Sequence, residues 1–451
     1  MKKLTALLLT TAMTLSLTAC GAGSGEAASK DAAAQENQND AAKDENPGTA
    51  ETAETADADE QTAESTDESG FVPALAGDTA GTLNFVGSWG NFEALDQVAL
   101  DFQQYYPDVE VVYTKLDDYR NDLANRFATG EEIDLFMGDW WDVEYPLNQN
   151  IIDNAADLSA AGLDLSSLEE DLLSAGAVDG AQLVVPIYQQ SFGYMVNLDL
   201  FEAAGAEIPT TYTELQETCE KLSAAGYDKP IYINSSLFGR TFTGYYMEQK
   251  QAGGEDVAAL DNTIAKMDEL FASGYVNDEG DTLEDSYNAM ILRFFEGDIP
   301  LQSISLNNYS GTAKREAKSE AFTAQPFRYT YIPAPYGEEN RAYINQLGTI
   351  YVGIYKNSNQ QELADEFLRF MLTENEMSTL SSIKNMPTAN GSAGLENFPY
   401  LQNAEKFYNT GEGLSSIDEE RILNVLSIYR GGADHTDMYD KMNDYIENGL
   451  R

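Results

Sequence analysis

A strand–helix–strand–helix–strand pattern between residues 82 and 137 constrains the fold of this chain most strongly. Residues 82–86 alternate apolar and polar side chains, and a helical pattern follows them until Pro107. Residues 109–113 form the next predicted strand, and a second helical pattern leads to a strand at 133–137. Strands that alternate with helices favour a mostly parallel sheet with crossover helices. The sequence therefore predicts an α/β fold.

A second pattern, at residues 183–197, indicates where the chain leaves one lobe for another. A short apolar strand is interrupted by Pro186, which lacks a backbone donor and so belongs at a strand edge or end. Another apolar run spans residues 192–196, and the polar segment 188–191 lies between the two. We interpret this segment as a crossing between two lobes, with its side chains in the crevice. A strand-loop-strand within one domain would give the same pattern.

The residues of this crossing and the helix after it carry a resemblance to a known family. The matching positions are Pro186, Tyr188, Tyr194, Asn197, Leu200, Phe201, Gly205, Pro209 and 211–215. Their order and spacing resemble the signature of the extracellular solute-binding proteins of ABC importers, family 1, in the sugar-binding branch that includes maltose-binding protein. Tyr212 stands where the family more often has tryptophan. Further similarity extends from about residue 83 to the C-terminus.

The resemblance implies a two-lobed, periplasmic-binding-protein-like fold of type II. Each lobe is then a mixed, mostly parallel sheet flanked by helices, and hinge crossovers join the lobes. Lobe 1 is expected at residues 81–187 with 345–378, and lobe 2 at 188–344 with 379–451. The resemblance further implies a monomer that captures a mono- or oligosaccharide between its lobes and delivers it to the transmembrane subunits of an ABC permease. No cofactor is implied.

The N-terminal segment predicts export and anchoring. A pair of lysines, an apolar run that ends at Leu17 and small residues before Cys20 are typical of a signal peptide over residues 1–19. The cysteine resembles the lipobox of bacterial lipoproteins, which implies lipidation at that residue. Residues 20–80 are acidic and poor in large apolar side chains, so we expect a disordered tether. The chain is therefore expected on the extracellular face of the cell membrane, held by its lipid.

Charge and motifs argue against several function classes. A formal net charge of −50 disfavours nucleic acid and anionic lipid surfaces as partners. Besides Cys20, Cys219 is the only cysteine, so no intramolecular disulfide is expected. The chain has no H-E-x-x-H, G-x-S-x-G, P-loop or zinc cysteine pair, and its single histidine, His435, is expected on the surface. We therefore predict neither an enzyme nor a metal site, and a wall-binding or structural lipoprotein stays open as an alternative.

The tryptophans mark the predicted ligand site. Trp89, Trp140 and Trp141 all lie in loops after predicted first-lobe strands. Ligands of open α/β sheets bind at the carboxyl ends of the strands, and an aromatic face packs well against the C–H face of a sugar. Glu93 and Asp139 are expected to accept hydrogen bonds from the sugar hydroxyls. Packing of one or two of these indoles in the core is the alternative.

Resemblance to the family adds further candidate contacts in the crevice. They are Tyr188, Gln190, Tyr246, Asn307, Asn308, Tyr309 and Gln346. Amides and aromatic rings with few cations favour a neutral polyhydroxyl ligand. The acids around the tryptophans leave a second hypothesis open, in which the same architecture binds a polyamine or a quaternary amine. Such a cation site would weaken as ionic strength rises.

Overall fold

A computed structural model describes residues 70–89, 92–131, 133–143, 147–253, 256–283, 286–345, 349–391 and 393–408. The predicted signal peptide, Cys20, most of the tether, Gln346 and the tail with His435 lie outside these residues. None of the helices in the described part of the chain is both long enough and apolar enough to cross a membrane.

The described residues form a mixed set of strands and helices. The strands are β1 (Ala80–Gly87), β2 (Asp108–Lys115), β3 (Leu135–Gly138), β4 (Ala177–Val178), β5 (Ala181–Gln182), β6 (Val185–Tyr188), β7 (Phe192–Asn197), β8 (Ile231–Tyr232), β9 (Val276–Asn277), β10 (Leu301–Ser305), β11 (Tyr329–Pro333), β12 (Arg341–Tyr343), β13 (Thr349–Ile354) and β14 (Glu405–Phe407). The first helices are α1 (Glu93–Phe102), α2 (Tyr119–Thr129), α3 (Trp140–Val143), α4 (Gln149–Asn154), α5 (Glu170–Ser174), α6 (Leu198–Ala204), α7 (Tyr212–Ala224), α8 (Ser235–Thr241) and α9 (Thr243–Gln251). The later helices are α10 (Asp256–Ala272), α11 (Ser286–Phe294), α12 (Leu306–Ser310), α13 (Thr312–Glu316), α14 (Glu320–Ala324), α15 (Gln361–Met371), α16 (Glu374–Lys384) and α17 (Pro399–Asn403).

The first sheet has the strand order β2-β1-β3-β13-β6. β1 pairs in parallel with β2 and β3, with α1 and α2 as the connections, while β13 runs antiparallel to β3 and β6. The predicted strand–helix–strand pattern is thus confirmed. β6 is an edge strand. Pro186, which has no N–H to donate, lies within it, as expected for a strand that pairs on one side only.

The second sheet has the strand order β11-β7-β10-β8-β9. β7 runs antiparallel to β10 and β11, whereas β8 pairs in parallel with β10 and β9. β6 belongs to the first sheet and β7 to the second, so buried Gln189, Gln190 and Ser191 carry the chain from one sheet to the other. The chain thus crosses from one sheet to the other at the predicted segment.

The helix after the crossing begins and ends as its sequence predicts. The Asn197 side chain accepts hydrogen bonds from the backbone N–H groups of Asp199 and Leu200, which satisfies two of the free donors at the start of α6. Gly205 closes α6 with φ 62°, a left-handed conformation that glycine adopts without a Cβ penalty. The direction of the chain leaving β7 is therefore fixed locally.

Apolar side chains of both sheets meet in one large buried cluster, which includes Leu83 of β1 and Ile304 of β10. α15 packs on β1 and β13 and buries Leu363, Phe367 and Phe370. Burying a side chain of this size contributes about 1.5–3 kcal/mol. The second sheet has a separate core that includes Phe242 and Tyr336, whose rings stack with centroids 4.0 Å apart. These buried clusters position the sheet edges at which the candidate site lies.

Candidate functional site

Two predicted site residues meet at the carboxyl edge of the first sheet. Because β1 and β3 are parallel neighbours, the residues that follow them lie side by side. Trp89 comes after β1 and Asp139 directly after β3. The Trp89 Nε1–H donates to Asp139 Oδ2 at 3.2 Å, and the two residues are 7% and 0% exposed. The indole and the carboxylate thus form one buried pair.

A lysine that the sequence did not indicate completes this pair. Lys384, the last residue of α16, places its Nζ 4.1 Å from the centroid of the Trp89 ring. Burial lowers the pKa of Lys384 to about 8, and the charge of Asp139 opposes that change. An ammonium group therefore covers one face of the indole. A ligand that stacks on this face must displace it.

Glu93 reaches from the first sheet towards the second. It begins α1, which follows β1, and its carboxylate lies 3.0 Å from the Lys314 ammonium in α13, which follows β10. Their side chains are 51% and 66% exposed, so solvent screens the pair strongly. The ion pair contributes little energy, but the contact shows that the carboxyl edges of the two sheets lie opposite one another.

The crossing itself is held by buried amides. Gln190 Oε1 accepts from the backbone N–H of Asn307 at 3.3 Å, and the Gln190 carbonyl accepts from that of Asn345 at 2.8 Å. Tyr188 donates its hydroxyl to the Leu380 carbonyl at 3.0 Å. Tyr188 and Gln190 therefore tie the crossing to α16 and to α12.

α12 presents the remaining second-sheet candidates. Ser305 caps this helix by accepting from the backbone N–H of Asn308, and Asn307 and Asn308 are half-buried. Tyr309 packs edge-on against Tyr331 and Phe398, with centroids 5.8 Å apart in each pair. Burial raises the pKa of Tyr309, so its hydroxyl stays protonated at neutral pH. Asn307 and Asn308 lie just after the carboxyl end of β10, in the first turn of α12.

The other predicted residues fall in different places. Trp140 and Trp141 begin α3, directly after Asp139, but their side chains lie outside the description. Tyr246 is buried in the core of the second sheet, whereas its neighbour Tyr245 lines two cavities. In the described part of the chain, no group of three or more His, Cys, Asp or Glu side chains is placed to hold a metal ion.

The structure adds a narrow cavity beside the crossing. It has a volume of about 20 Å³, and its lining includes Phe192, Arg240, Gly244 and Tyr343. This volume is close to what a single water molecule needs. Neither this cavity nor Lys384 has a signal in the sequence, because a lysine that ends a helix is ordinary and cavities arise from tertiary packing.

Several solved structures share this architecture. The GacH receptor of Streptomyces glaucescens, solved unliganded and with acarbose, has a TM-score of 0.61 at 16% identity and covers 82% of this chain and 99% of its own. The sugar-binding protein MalE of Xanthomonas citri has a TM-score of 0.62 at 14% identity, covering 81% and 96%. The cyclic α-maltosyl-1,6-maltose binding protein of Arthrobacter globiformis has a TM-score of 0.60 at 20% identity, covering 82% and 100%. These likenesses confirm the two-lobed type II fold.

Sequence comparison identifies the family. A comparison with curated protein sequences returns no significant match. A family model described as bacterial extracellular solute-binding protein matches residues 87–377, well over half of the chain. That family consists of solute-binding proteins of transport systems rather than enzymes, and the resemblance seen in the sequence is confirmed. The chain belongs to the bacterial extracellular solute-binding protein family.

Proposed function

We propose that this protein captures a neutral mono- or oligosaccharide between its two lobes and delivers it to the transmembrane subunits of an ABC importer. The observation that carries the proposal is the meeting of two carboxyl edges. Trp89 and Asp139 lie on one edge, Asn307 lies on the other, and the Glu93–Lys314 pair spans them. A ligand that contacts both edges favours the closed state by its differential affinity.

The chemistry of this site supports a neutral ligand over a cation. Asp139 and the Lys384 ammonium both contact the Trp89 indole, and Glu93 is paired with Lys314. A polyamine would have to displace Lys384 and Lys314 from this site. Its binding would then exchange one cation for another and would yield little net electrostatic energy. Sugar hydroxyls donate and accept, so they can bind carboxylates, ammonium groups and amides together. Two of the solved structures named above are likewise described as binding proteins for a sugar.

The cellular setting is part of the same proposal. The apolar leader and the cysteine after it support cleavage after residue 19 and lipidation of Cys20. The protein would then stand on the extracellular face of the cell membrane as a tethered monomer. We propose lobe 1 at residues 81–187 with 345–378, and lobe 2 at 188–344 with 379–451.

Calorimetric titration of the full chain tests the ligand class. A panel of neutral mono- and oligosaccharides and a panel of polyamines are titrated at low and at high salt. We expect saturable binding of a neutral sugar with an affinity that salt leaves unchanged. Binding confined to polyamines and weakened by salt would overturn the proposal, because a cation site is screened.

A further inference from the structure

The last residues of the predicted tether pack against helices of the first sheet. Phe71 is 5% exposed, and its ring lies edge-on to the rings of Tyr105 and Phe370, with centroids 5.1 Å and 4.9 Å away. The Arg369 guanidinium covers the same ring at 4.4 Å from its centroid. Phe370 and Arg369 belong to α15, and Tyr105 follows the end of α1. Phe71 therefore fills a site that α15 and the end of α1 form.

A buried carboxylate in α15 holds the backbone after Phe71. Glu366 is 4% exposed, and its Oε1 accepts from the backbone N–H of Ala74 at 2.7 Å and from the Tyr106 hydroxyl at 2.5 Å. The Tyr106 hydroxyl accepts in turn from the backbone N–H of Leu75 at 3.2 Å. Two consecutive backbone amides are therefore bound by side chains that are themselves buried.

Arg369 links the ring and the carboxylate into one set of contacts. Its guanidinium pairs with Glu366 at 2.6 Å and donates to the backbone carbonyl of Val72 at 2.8 Å. A buried charge is retained when it is paired and hydrogen-bonded, and the Glu366 carboxylate meets both conditions. Residues 71–75 thus form a clasp, which is fixed by one buried ring and three hydrogen bonds of its backbone.

The clasp lies at the amino edge of the first sheet, opposite the candidate ligand site. Residues 76–79 lead from it into the amino end of β1, and Tyr105 and Tyr106 precede the amino end of β2. Because β1 and β2 are parallel, these two ends lie at the same edge. Trp89 follows the carboxyl end of β1. The eight residues of β1 separate the two edges by about 25 Å.

The partners of the clasp named above all belong to α15 or to the turn after α1. α15 packs on β1 and β13, and α1 packs on α15, so these partners are part of the layer that covers the first sheet. None of the contacts given above involves a strand or helix of the second sheet. A ligand that draws the second sheet towards the first therefore does not strain the clasp.

We infer that the clasp fastens the membrane tether to the amino edge of the first sheet and stays fastened whether or not a ligand is bound. The inference rests on the proposed function only where it invokes a tether and a moving second lobe. The tether then leaves the protein on the side away from the ligand. Its acidic residues are held back from the ammonium groups of Lys384 and Lys314 at the ligand edge, and the second lobe closes without pulling on the anchor.

Distances between spin labels test the inference in the full chain with Cys20→Ser. Val72 is 74% exposed, so Val72→Cys carries a label on the clasp. The second label is placed either on Ala128→Cys, an exposed position in α2 of the first sheet, or on Glu217→Cys, an exposed position in α7 of the second. The buried Cys219 thiol stays unlabelled.

Two variants open the clasp, and a third is their control. Phe71→Ala removes the buried ring, and Glu366→Gln removes the charge that holds the backbone. Glu362→Gln makes the same change at an exposed position one turn earlier in α15. Hydrogen exchange of the Ala74 and Leu75 amides is measured in each variant and in the unchanged protein.

We expect one narrow clasp-to-α2 distance that a neutral oligosaccharide leaves unchanged, and a clasp-to-α7 distance that the same sugar shifts saturably. Phe71→Ala should broaden the clasp-to-α2 distance and speed exchange of the two amides about ten- to a hundredfold, the effect of one buried aromatic side chain. Glu366→Gln should change both quantities in the same direction, and Glu362→Gln should change neither.

Three results would overturn the inference. They are a broad clasp-to-α2 distance in the unchanged protein, exchange of the two amides that neither clasp variant speeds, and a sugar-induced shift of the clasp-to-α2 distance. If no sugar moves the clasp-to-α7 distance, the proposed function fails instead. The exchange rates and the clasp-to-α2 distance without sugar then still decide whether the clasp is fastened.

Discussion

Two buried aspartates at opposite ends of β3 show what distinguishes the site from the scaffold. Asp134 precedes the strand and is 5% exposed, while Asp139 follows it and is 0% exposed. Asp134 accepts from the backbone N–H of Asn84 at 2.7 Å and from its side-chain amide at 3.2 Å. Asp139 accepts from the Trp89 indole and lies beside the Lys384 ammonium.

Asp134 and Asp139 differ in the kind of group that contacts their carboxylates. At the amino end, Asn84 of the neighbouring strand and the Ser358 hydroxyl satisfy the carboxylate with neutral donors, so the aspartate joins β1 to β3 and to the segment after β13. At the carboxyl end, the Trp89 indole donates to the carboxylate and the Lys384 ammonium lies over that indole, so a ligand can take the place of these long side chains. Equal burial therefore does not mean equal function. The carboxyl edge keeps a charge whose partners can be exchanged, as ligand sites of open sheets require.

The largest effect is expected when the carboxylates of Asp139 and Asp134 are each replaced by an amide. Asp139→Asn is expected to weaken sugar binding about ten- to a hundredfold, the worth of one hydrogen bond to a charged group. Asp134→Asn is expected to leave affinity unchanged and to lower the free energy of unfolding by about 1–3 kcal/mol. Calorimetry and urea unfolding measure the two quantities. Loss of affinity in Asp134→Asn alone would reverse the assignment of the two edges.

Much of the fold was predictable from local patterns. Alternating strands and helices indicated the parallel part of the first sheet, and Pro186 indicated an edge strand. Asn197 and Gly205 indicated where α6 begins and ends. These features depend on residues that are near each other in the sequence, so the sequence alone carries the information.

The site was less predictable because it depends on distant segments. Trp89 and Asp139 follow strands, so their meeting was foreseeable once a parallel sheet was predicted. Lys384 reaches them only because α16 packs against α1, and no local pattern encodes that packing. Tyr245 and Tyr246 are adjacent in α9, where successive side chains point about 100° apart. The sequence does not indicate which of the two rings lines a cavity and which is buried in the core of the second sheet.

Lys384 makes the stability of the carboxyl edge depend on pH. Its pKa is lowered from 10.5 to about 8 in the folded protein, so between those values the unfolded chain binds more protons. Lys384 therefore contributes stability that rises with pH from about 8 towards 10.5, whereas Cys219, whose pKa burial raises from 9.0 to about 12, and the buried tyrosines contribute the opposite. Lys384→Met should therefore lose free energy of unfolding relative to the unchanged protein as the pH rises through this range. Urea unfolding across that range measures it.

Lys356 provides the control for this test. It is an exposed lysine at the amino edge of β3, where its ammonium donates to the Asp153 carbonyl. Lys356→Met should keep the pH dependence of stability that the unchanged protein shows above pH 8, and tryptophan fluorescence should titrate near that pH in this variant but not in Lys384→Met. The same pH profile in both variants would contradict the placement of Lys384 over the indole.

The Glu93–Lys314 pair should have the smallest effect. A double-mutant cycle with Glu93→Gln and Lys314→Gln is expected to give a coupling energy of about 0.2–1 kcal/mol in unfolding, since exposed pairs are strongly screened. The coupling should fall as salt is added. A coupling that is large and independent of salt would mean that this pair, rather than the buried edge residues, holds the two sheets together.

The central claim is that a neutral sugar contacts both sheets, and a distance measurement between them tests it most directly. Spin labels are placed on Leu100→Cys in α1, where the native side chain is 59% exposed, and on Glu217→Cys in α7, with Cys20→Ser. Burial raises the pKa of the Cys219 thiol to about 12, so that cysteine should stay unlabelled. We expect a saturable shift of the label-to-label distance with a neutral oligosaccharide and none with a polyamine. Saturable sugar binding without any change in that distance would contradict it.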